Sequence, residues 1–284
     1  MHWRLEATLA LAVLLASCQS SMETPVIERG LTHESLNAVL WAQTSAEYRA
    51  STEQAYRLAR VRLDEALRPE NAVWTAELEQ VGDYADLPPA VVLDVDEGVL
   101  DTSTFQARIV ERHSRFRLTE WNDWVQEEKG RAVPGALEFA KYARAKGVRI
   151  FYVTNRAHEV EASTRRNLQK LGFPVDEDGG NILSKNKRAG WGSDKGSRRE
   201  FIAARYRIVL IAGDDLNDFL SGSRLEPRER VALASRWRSN WGTKWIMLPN
   251  PIYGGWERSL YQFDNQLEST EILRRKHSQL ETFE

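Results

Sequence analysis

The chain has 284 residues, of which 42% are hydrophobic, so it can bury a large core, and its composition excludes a disordered protein. Its 39 basic and 41 acidic residues give a formal net charge of -2, without the basic field by which proteins neutralise nucleic-acid phosphates. Nucleic acid is therefore excluded as the default partner, whereas small anionic substrates remain compatible with a local cluster of cations.

The first 30 residues have the pattern of an export signal followed by a tether. A basic start precedes an apolar run, residues 7–16, that is too short to span a bilayer. The run leads into the tetrapeptide LASC, which ends at Cys18 and resembles a bacterial lipobox, where the cysteine is lipidated and begins the mature protein. We expect a signal peptide over residues 1–17, lipidation of Cys18 and a tether over residues 18–30.

Cys18 is the only cysteine, so an exported chain could form no internal disulfide, and lipid attachment would account for its thiol. An ordinary cleavable signal with an incidental cysteine is the alternative. Gln19 follows the cysteine where aspartate could stand, which in the lipoprotein analogy favours the outer membrane of a diderm bacterium. Lipid chains there would hold a soluble domain at the membrane surface.

The remaining chain, residues 31–284, is predicted to form one domain. Apolar residues recur at helical spacing up to Leu67. This segment fits either two helices or one kinked helix. Further helices are predicted at residues 105–129, 135–146, 159–171 and 193–206, and the charged tail from Leu260 is predicted helical. Buried strands are predicted at residues 90–95, 148–153 and 208–212, with an edge strand at 245–248.

This alternation of strands and helices predicts an α/β fold. We expect a doubly wound, mostly parallel sheet with helices on both faces. A smaller helical annex is expected from the N-terminal helices and from an insert after the first polar motif, at about residues 31–80 and 102–132. Ligands of such sheets bind beyond the carboxyl ends of the strands.

Polar side chains follow three predicted strands at that edge. They are Asp94 and Asp96, then Thr154 and Asn155, then Asp214 and Asp218. Lys195 lies in a polar loop before the third strand. Carboxylates as close as the first pair repel each other, and a hard cation such as Mg2+ removes the repulsion while tolerating phosphate among its ligands.

Such a pocket supports phosphate chemistry. One carboxylate can attack phosphorus to form an aspartyl phosphate, while the second donates a proton to the leaving oxygen and then takes one from water. The hydroxyl of Thr154 and the cation of Lys195 suit the charge on the transferring phosphoryl group. An Asp-x-Asp pair alone is more often structural than catalytic, but the ordered set after three strands favours catalysis.

Four motifs resemble those of the haloacid-dehalogenase-like phosphohydrolases: DVDE at 94–97, YVTNR at 152–156, Lys195, and GDDLND at 213–218. The chain is most similar to the class C acid phosphatases, which are bacterial surface lipoproteins. Segments at 41–50, 132–136 and 250–256 resemble that family too. The resemblance therefore covers most of the chain from Leu31 to Trp256.

The resemblance implies a role for each motif residue. Asp94 would be the nucleophile and Asp96 the general acid and base. Mg2+ would be held by the Asp94 side chain, the Asp96 backbone carbonyl and Asp214, with Asp218 supporting the metal from nearby. Phosphoryl oxygens would be bound by Thr154 and Lys195, with Asn155 beside them.

The resemblance also implies substrates and partners. The family hydrolyses phosphomonoesters, often nucleoside 5'-monophosphates, at acidic pH. Trp121 and Tyr253 lie in segments where it builds an aromatic clamp for a nucleobase, and the residues alone leave stacking and plain packing open. The membrane would be a partner through the N-terminal lipid, and a homodimer is compatible with the resemblance.

Gly98 departs from the family pattern, which usually has Thr or Val there. A lost hydroxyl and a looser backbone predict a weaker enzyme, by about one or two powers of ten. One alternative is therefore a surface lipoprotein that binds nucleotides or phosphoesters with weakened or lost catalysis, and another is phosphoryl transfer to an acceptor other than water. The sequence lacks a serine-hydrolase nucleophile elbow and a His-Glu-x-x-His zinc motif.

Overall fold

The computed structural model describes residues 33–282, and a five-stranded parallel sheet lies at its centre. The strands are β1 (Pro89–Leu93), β4 (Arg149–Ala157), β5 (Ile182–Lys185), β6 (Arg207–Gly213) and β7 (Trp245–Met247). Their order in the sheet is β5-β4-β1-β6-β7, and every pairing is parallel. A separate antiparallel ribbon pairs β2 (Leu100–Asp101) with β3 (Arg131–Ala132).

The helices alternate with these strands along the chain. They are α1 (Leu36–Thr44), α2 (Ala46–Ala66), α3 (Ser103–Glu111), α4 (Leu118–Gln126), α5 (Ala136–Ala145), α6 (Glu161–Leu171), α7 (Gly196–Ala203), α8 (Pro227–Arg236), α9 (Gly255–Ser259) and α10 (Ser269–His277). Three 3-10 turns occur at Pro69–Asn71, His158–Val160 and Leu216–Asp218. Within the described residues, no helix is long and apolar enough to cross a membrane.

Helices cover the sheet on both faces because successive side chains of a strand point in opposite directions. In β1, Val91 and Leu93 join a core layer with residues of α2 and α5. Ala90 and Val92 join a second layer with residues of α7. All four are fully or nearly fully buried. The expected doubly wound α/β architecture is therefore confirmed.

The N-terminal helices are two, and they are separated at Ser45. The Ser45 side chain accepts a hydrogen bond from the backbone N–H of Tyr48 (3.0 Å), which caps α2. The expected annex differs in one respect, because Tyr56 and Leu63 of α2 pack into the sheet core. Helix α2 therefore belongs to the sheet layer, and α1 and the insert pack beside it, with Val39 and Val110 in one cluster.

One predicted helix differs in the structure, and one strand of the sheet was not predicted. The helix predicted at 105–129 is two helices, separated by a loop in which His113 has a left-handed φ of 47°. Strand β5 was not predicted, since its four residues give no clear periodicity. Three tryptophans at four-residue spacing follow α8, and the rings of Trp237 and Trp241 both pack on that of Trp245 in β7.

The loop after β1 is held by α2. The buried hydroxyl of Tyr56 donates a hydrogen bond to the carbonyl oxygen of Gly98 (2.7 Å). Within the loop, the backbone N–H groups of Val99 and Leu100 both donate to the carbonyl of Val95 (3.0 and 2.7 Å). A helix that precedes the sheet in the chain therefore fixes the loop that carries the first polar motif.

Replacing Tyr56 by Phe should lower the free energy of unfolding by about 1–3 kcal/mol, because the buried Gly98 carbonyl would lose its donor. Urea unfolding at unchanged m-value measures the loss. The matched control is Tyr142→Phe, whose hydroxyl bonds only the exposed carboxylate of Asp64, and its cost should stay within about 0.5 kcal/mol. Equal losses in the two variants would contradict the assigned role of the Tyr56 bond.

Candidate active site

Three carboxylates meet at the carboxyl edge of the sheet. One oxygen from each of Asp94, Asp214 and Asp218 lies within 4.8 Å of the others. Asp94 directly follows β1, and its backbone N–H donates to the Ala212 carbonyl of β6 (2.9 Å). The pairing of β1 with β6 therefore sets the position of Asp94. Asp94 and Asp218 are 8% and 4% exposed, so their charges lie largely out of water.

Lys195 neutralises part of this charge. Its ammonium contacts a carboxylate oxygen of Asp94 and donates to Asp218 (2.5 Å), and it is itself 5% exposed. Burial disfavours the charged ammonium, but Asp218 and Asp94 outweigh it and raise the pKa of Lys195. Burial raises the pKa of Asp94 to about 7, against the opposing effect of Lys195.

These residues fit a hard divalent cation. Three oxygen donors converge, and burial together with the other carboxylates raises the pKa of Asp214 well above its ordinary value. One ammonium does not balance three carboxylates, and a cation with oxygen ligands would relieve the remaining repulsion. Only one oxygen of Asp214 accepts a side-chain hydrogen bond, from Asn250 (2.8 Å), which leaves the other available as a ligand.

Asp96 occupies a different environment from Asp94. One of its oxygens accepts hydrogen bonds from Arg156 (2.9 Å to Nε), and the other accepts a hydrogen bond from the Thr154 hydroxyl (3.4 Å). The guanidinium of Arg156 is buried, 5.5 and 5.8 Å from the rings of Trp121 and Trp124. The two aspartates, two residues apart, thus have separate cationic partners.

A buried arginine supports the end of β4. Arg198 donates to the carbonyl of Thr154 (2.5 Å) and the side-chain oxygen of Asn155 (2.7 Å). The Asn155 amide donates to the Ser193 carbonyl (3.0 Å), in the loop that leads to Lys195. The hydrogen bonds of Asn155 therefore join the end of β4 to the loop that leads to Lys195. Contact of Asn155 with phosphate stays a prediction. Thr154, in contrast, lies beside Asp96.

The next arginine supports the opposite loop. Arg199 donates to the carbonyl oxygens of Asn217 and Asp218 (3.1 Å each). Its Nε donates to the carboxylate of Glu77 (2.6 Å), and both side chains are almost completely buried. We name Arg198 and Arg199 the arginine pair. From adjacent positions in α7, it holds the end of β4 and the loop after β6.

The loop after β6 also depends on the absence of a side chain at Gly213. The carboxylate of Asp218 turns back and accepts a hydrogen bond from the backbone N–H of Asp215 (2.9 Å). A Cβ atom at position 213 would lie 2.1 Å from that carboxylate. Packing against the Asp218 carboxylate therefore requires the glycine that begins the GDD sequence of this motif.

The aromatic candidates differ in surroundings. The hydroxyl of Tyr253 donates to Glu97 (3.3 Å), a buried carboxylate that also accepts a bond from the Thr102 hydroxyl. Burial raises the pKa of Glu97 to about 8. Trp121 is 8% exposed, and its ring stacks on Trp124 (5.2 Å), so it packs behind Arg156. Stacking on a substrate stays a prediction for both candidates.

The structure thus brings together Asp94, Asp96, Thr154, Lys195, Asp214 and Asp218 as the motif order predicts. Cys18 lies outside the described residues. Sequence reasoning missed Asn250 and the arginine pair as site residues. Asn250 gave a weak sequence signal, because it begins a segment that resembles the family. The two arginines gave none, because their charged stretch is typical of a solvent-facing helix surface.

Comparisons with known proteins agree with this geometry. The sequence profile of subfamily IIIB of the HAD superfamily, the acid phosphatases, matches residues 5–256. The structure of a class C acid phosphatase from Bacillus anthracis superimposes with a TM-score of 0.78 and 33% identity, over 89% of this chain and 99% of that one. The same enzyme with tungstate bound gives 0.77 and 32%, over 88% and 98%.

Two plant proteins are more distant relatives. A stem 28 kDa glycoprotein of Glycine max is 26% identical over 172 residues, which cover 57% of this chain and 58% of the glycoprotein. A stem 31 kDa glycoprotein of the same plant is 26% identical over 147 residues, 48% of each chain. The chain thus spans less than two thirds of these relatives. The profile match and the structural match to the bacterial enzyme show that the chain belongs to the acid phosphatases of HAD subfamily IIIB, a family of phosphomonoesterases.

Proposed function

We propose that this protein is a Mg2+-dependent acid phosphatase, held at the cell surface by an N-terminal lipid, that hydrolyses phosphomonoesters including nucleoside 5'-monophosphates. The observation that carries the proposal is the convergence of Asp94, Asp96, Thr154 and Lys195 with two further carboxylates at one sheet edge. This set includes the groups that the proposal needs for a nucleophile, an acid, phosphate donors and metal ligands.

In the first half-reaction, a carboxylate oxygen of Asp94 attacks phosphorus and the bond to the ester oxygen breaks. Asp96 donates its proton to the leaving alcohol, and the product is an aspartyl phosphate. In the second half-reaction, Asp96 takes a proton from water, whose oxygen attacks phosphorus and releases inorganic phosphate from Asp94. Arg156 and Thr154 hold Asp96 in position for both proton transfers.

The side chains of Asp94 and Asp214 and the backbone carbonyl of Asp96 would hold Mg2+, with Asp218 in support. The ion would supply positive charge beside the transferring phosphoryl group. Lys195 contacts Asp94 and so reduces the repulsion between this carboxylate and an anionic substrate. The Thr154 hydroxyl and the Lys195 ammonium are the donors for the phosphoryl oxygens.

The bound tungstate of the Bacillus anthracis relative, a tetrahedral oxyanion, supports an oxyanion site in this fold. The lipobox ending at Cys18 supports anchoring, and Gln19 supports the outer membrane of a diderm bacterium. Release of phosphate from nucleotides outside the cell would then make both products available for uptake.

Replacing Asp94 by Asn should abolish phosphate release, by at least about a thousandfold in kcat, because the amide cannot attack phosphorus. Phosphate release from nucleoside monophosphates and aryl phosphates measures the loss, with circular dichroism to check the fold. The control is Asp86→Asn, an exposed aspartate. In the wild type, a chelator should abolish turnover and Mg2+ should restore it.

Three outcomes would contradict the proposal. Retained turnover in Asp94→Asn would exclude the aspartyl-phosphate route. Nucleotide binding by calorimetry without phosphate release in saturating Mg2+ would favour the alternative, a binding lipoprotein. Phosphate appearing on an added alcohol would identify a transferase.

Gly98 has a different significance in the structure from the one its sequence context suggests. The loop is not loosened there, because a Cβ atom at Gly98 would lie 2.3 Å from the backbone oxygen of Asp94. Close approach of the chain to the nucleophile therefore requires glycine in this backbone. A threonine in this backbone would displace Asp94.

We expect Gly98→Ala and Gly98→Thr to lower kcat by about one to two powers of ten, because overpacking of 1–3 kcal/mol would fall on the Asp94 backbone. The control is Gly192→Ala, where a Cβ atom meets nothing within 4 Å. Steady-state kinetics with thermal unfolding measures both effects. A higher rate in Gly98→Thr would contradict the packing argument and restore the expectation of a missing hydroxyl.

Arg199→Lys should weaken Mg2+ activation about 10- to 100-fold. One ammonium cannot replace a guanidinium that donates to Glu77 and to two backbone carbonyls of the loop after β6. The Mg2+ concentration for half-maximal activity is the readout, since a general loss of stability would not shift it. Arg205→Lys, an exposed arginine just after α7, is the control. An unchanged Mg2+ titration would contradict the role assigned to Arg199.

A further inference from the structure

The described chain begins beside a loop of the insert. The Nε2 atom of His33 donates to the carbonyl oxygen of Ser114 (3.1 Å), between α3 and α4. In the same loop, Arg115 donates to the carbonyl oxygen of Leu267 (3.0 Å), just before α10. Residues 112–118, the last of which is the first residue of α4, therefore lie beside the start of the described chain, and we name them the entry loop.

The entry loop combines basic and apolar side chains on the surface. Its sequence is RHSRFRL, and with the preceding Glu111 its three arginines give a formal net charge of +2. Phe116 is 58% exposed and Leu118 is 56% exposed. Exposed apolar side chains among arginines are typical of segments that lie at a membrane interface.

Phe116 is held in this outward position. Its ring lies 6.1 Å from the rings of both Phe105 and Trp121, so its inner edge packs on the aromatic cluster of the insert. The outer part of the ring is left to solvent. The insert therefore presents the ring on a packed base, and binding would cost little further side-chain ordering.

The arginines of the entry loop are little neutralised by nearby carboxylates and so are available to bind an anionic group. Arg112 lies 3.7 Å from Glu120, a long contact with a 61% exposed guanidinium. Among the described residues, Arg115 and Arg117 have no carboxylate within 4.0 Å. Lys276 of α10 bonds Glu34 (2.8 Å), so α10, whose last turn is basic, also reaches the entry point of the chain.

The position of the lipid attachment agrees with this surface. His33 lies 15 positions after Cys18 in the sequence. At 3.3–3.6 Å per residue, the reach of that segment is at most about 50 Å. A lipid at Cys18 thus limits how far from the bilayer the first described residues can lie, and the entry loop lies beside those residues.

We propose that the entry loop docks on an anionic lipid surface, with its arginines against headgroup phosphates and Phe116 and Leu118 at the boundary with the acyl chains. The proposal rests on the lipid anchoring in the proposed function. The lipid would hold the protein at the membrane, and the entry loop would fix which face of the domain meets it.

The test uses the lipidated protein in vesicles. Because lipid consumes the thiol of Cys18, a Leu118→Cys variant has one reactive cysteine, which takes a polarity-sensitive fluorophore. The matched control is Val81→Cys, because the side chain of Val81 is 85% exposed. Its neighbour Gln80 accepts a hydrogen bond from the backbone N–H of Ile208, so position 81 lies near the amino end of β6. Vesicles of phosphatidylethanolamine and phosphatidylglycerol are compared with vesicles of neutral phosphatidylcholine.

In anionic vesicles, we expect the label at position 118 to shift to shorter wavelength and to be at least threefold less accessible to acrylamide than in neutral vesicles. The label at position 81 should be equally accessible in both. Replacing Arg115 and Arg117 by Ser should reverse the protection, since each arginine near an anionic surface contributes roughly fivefold to partitioning.

Three results would overturn the proposal, and they are distinguishable. Protein that floats with vesicles but shows equal quenching at 118 and 81 excludes the docking surface and leaves the anchor intact. Protein that does not float excludes the lipid anchor and with it this docking mode. Protection at 118 that depends on protein density and not on lipid charge shows that a second copy of the chain covers the loop.

Discussion

Repulsion among buried carboxylates is the constraint on which the active site depends. Asp94, Asp214 and Asp218 are brought to one point, and the ammonium of Lys195 contacts two of them, Asp94 and Asp218. Such an arrangement is unfavourable unless the backbone holds each group in place. The bonds around the site have that purpose: Asn250 bonds Asp214, and Arg199 bonds the loop of Asp218.

The same constraint separates the two aspartates of the first motif, Asp94 and Asp96. Asp94 is buried beside Lys195 and the other carboxylates, whereas Asp96 turns toward Arg156 and Thr154. Two carboxylates two residues apart on a regular strand would face one side and share one environment. The turn after β1 gives each its own partner, which is what a nucleophile and a proton carrier require.

The alternation of apolar runs and helices was sufficient to predict the sheet, its parallel strands and the edge where ligands bind. Motif residues at strand ends could be placed because parallel strands end at a common edge. The short strand β5 and the break at His113 could not, since four residues and one φ angle leave little periodic signal. The arginine pair was missed because buried arginines are rare and a run of charge usually faces water.

The arginine pair has a consequence for how the site keeps its dimensions. Arg198 bonds the end of β4, and Arg199 bonds the loop after β6, from consecutive positions in one helix. The spacing between the end of β4 and the loop after β6 is therefore set by α7 as well as by the strands between them. A change at either arginine would move one side of the pocket relative to the other, although the two side chains lie behind the carboxylates.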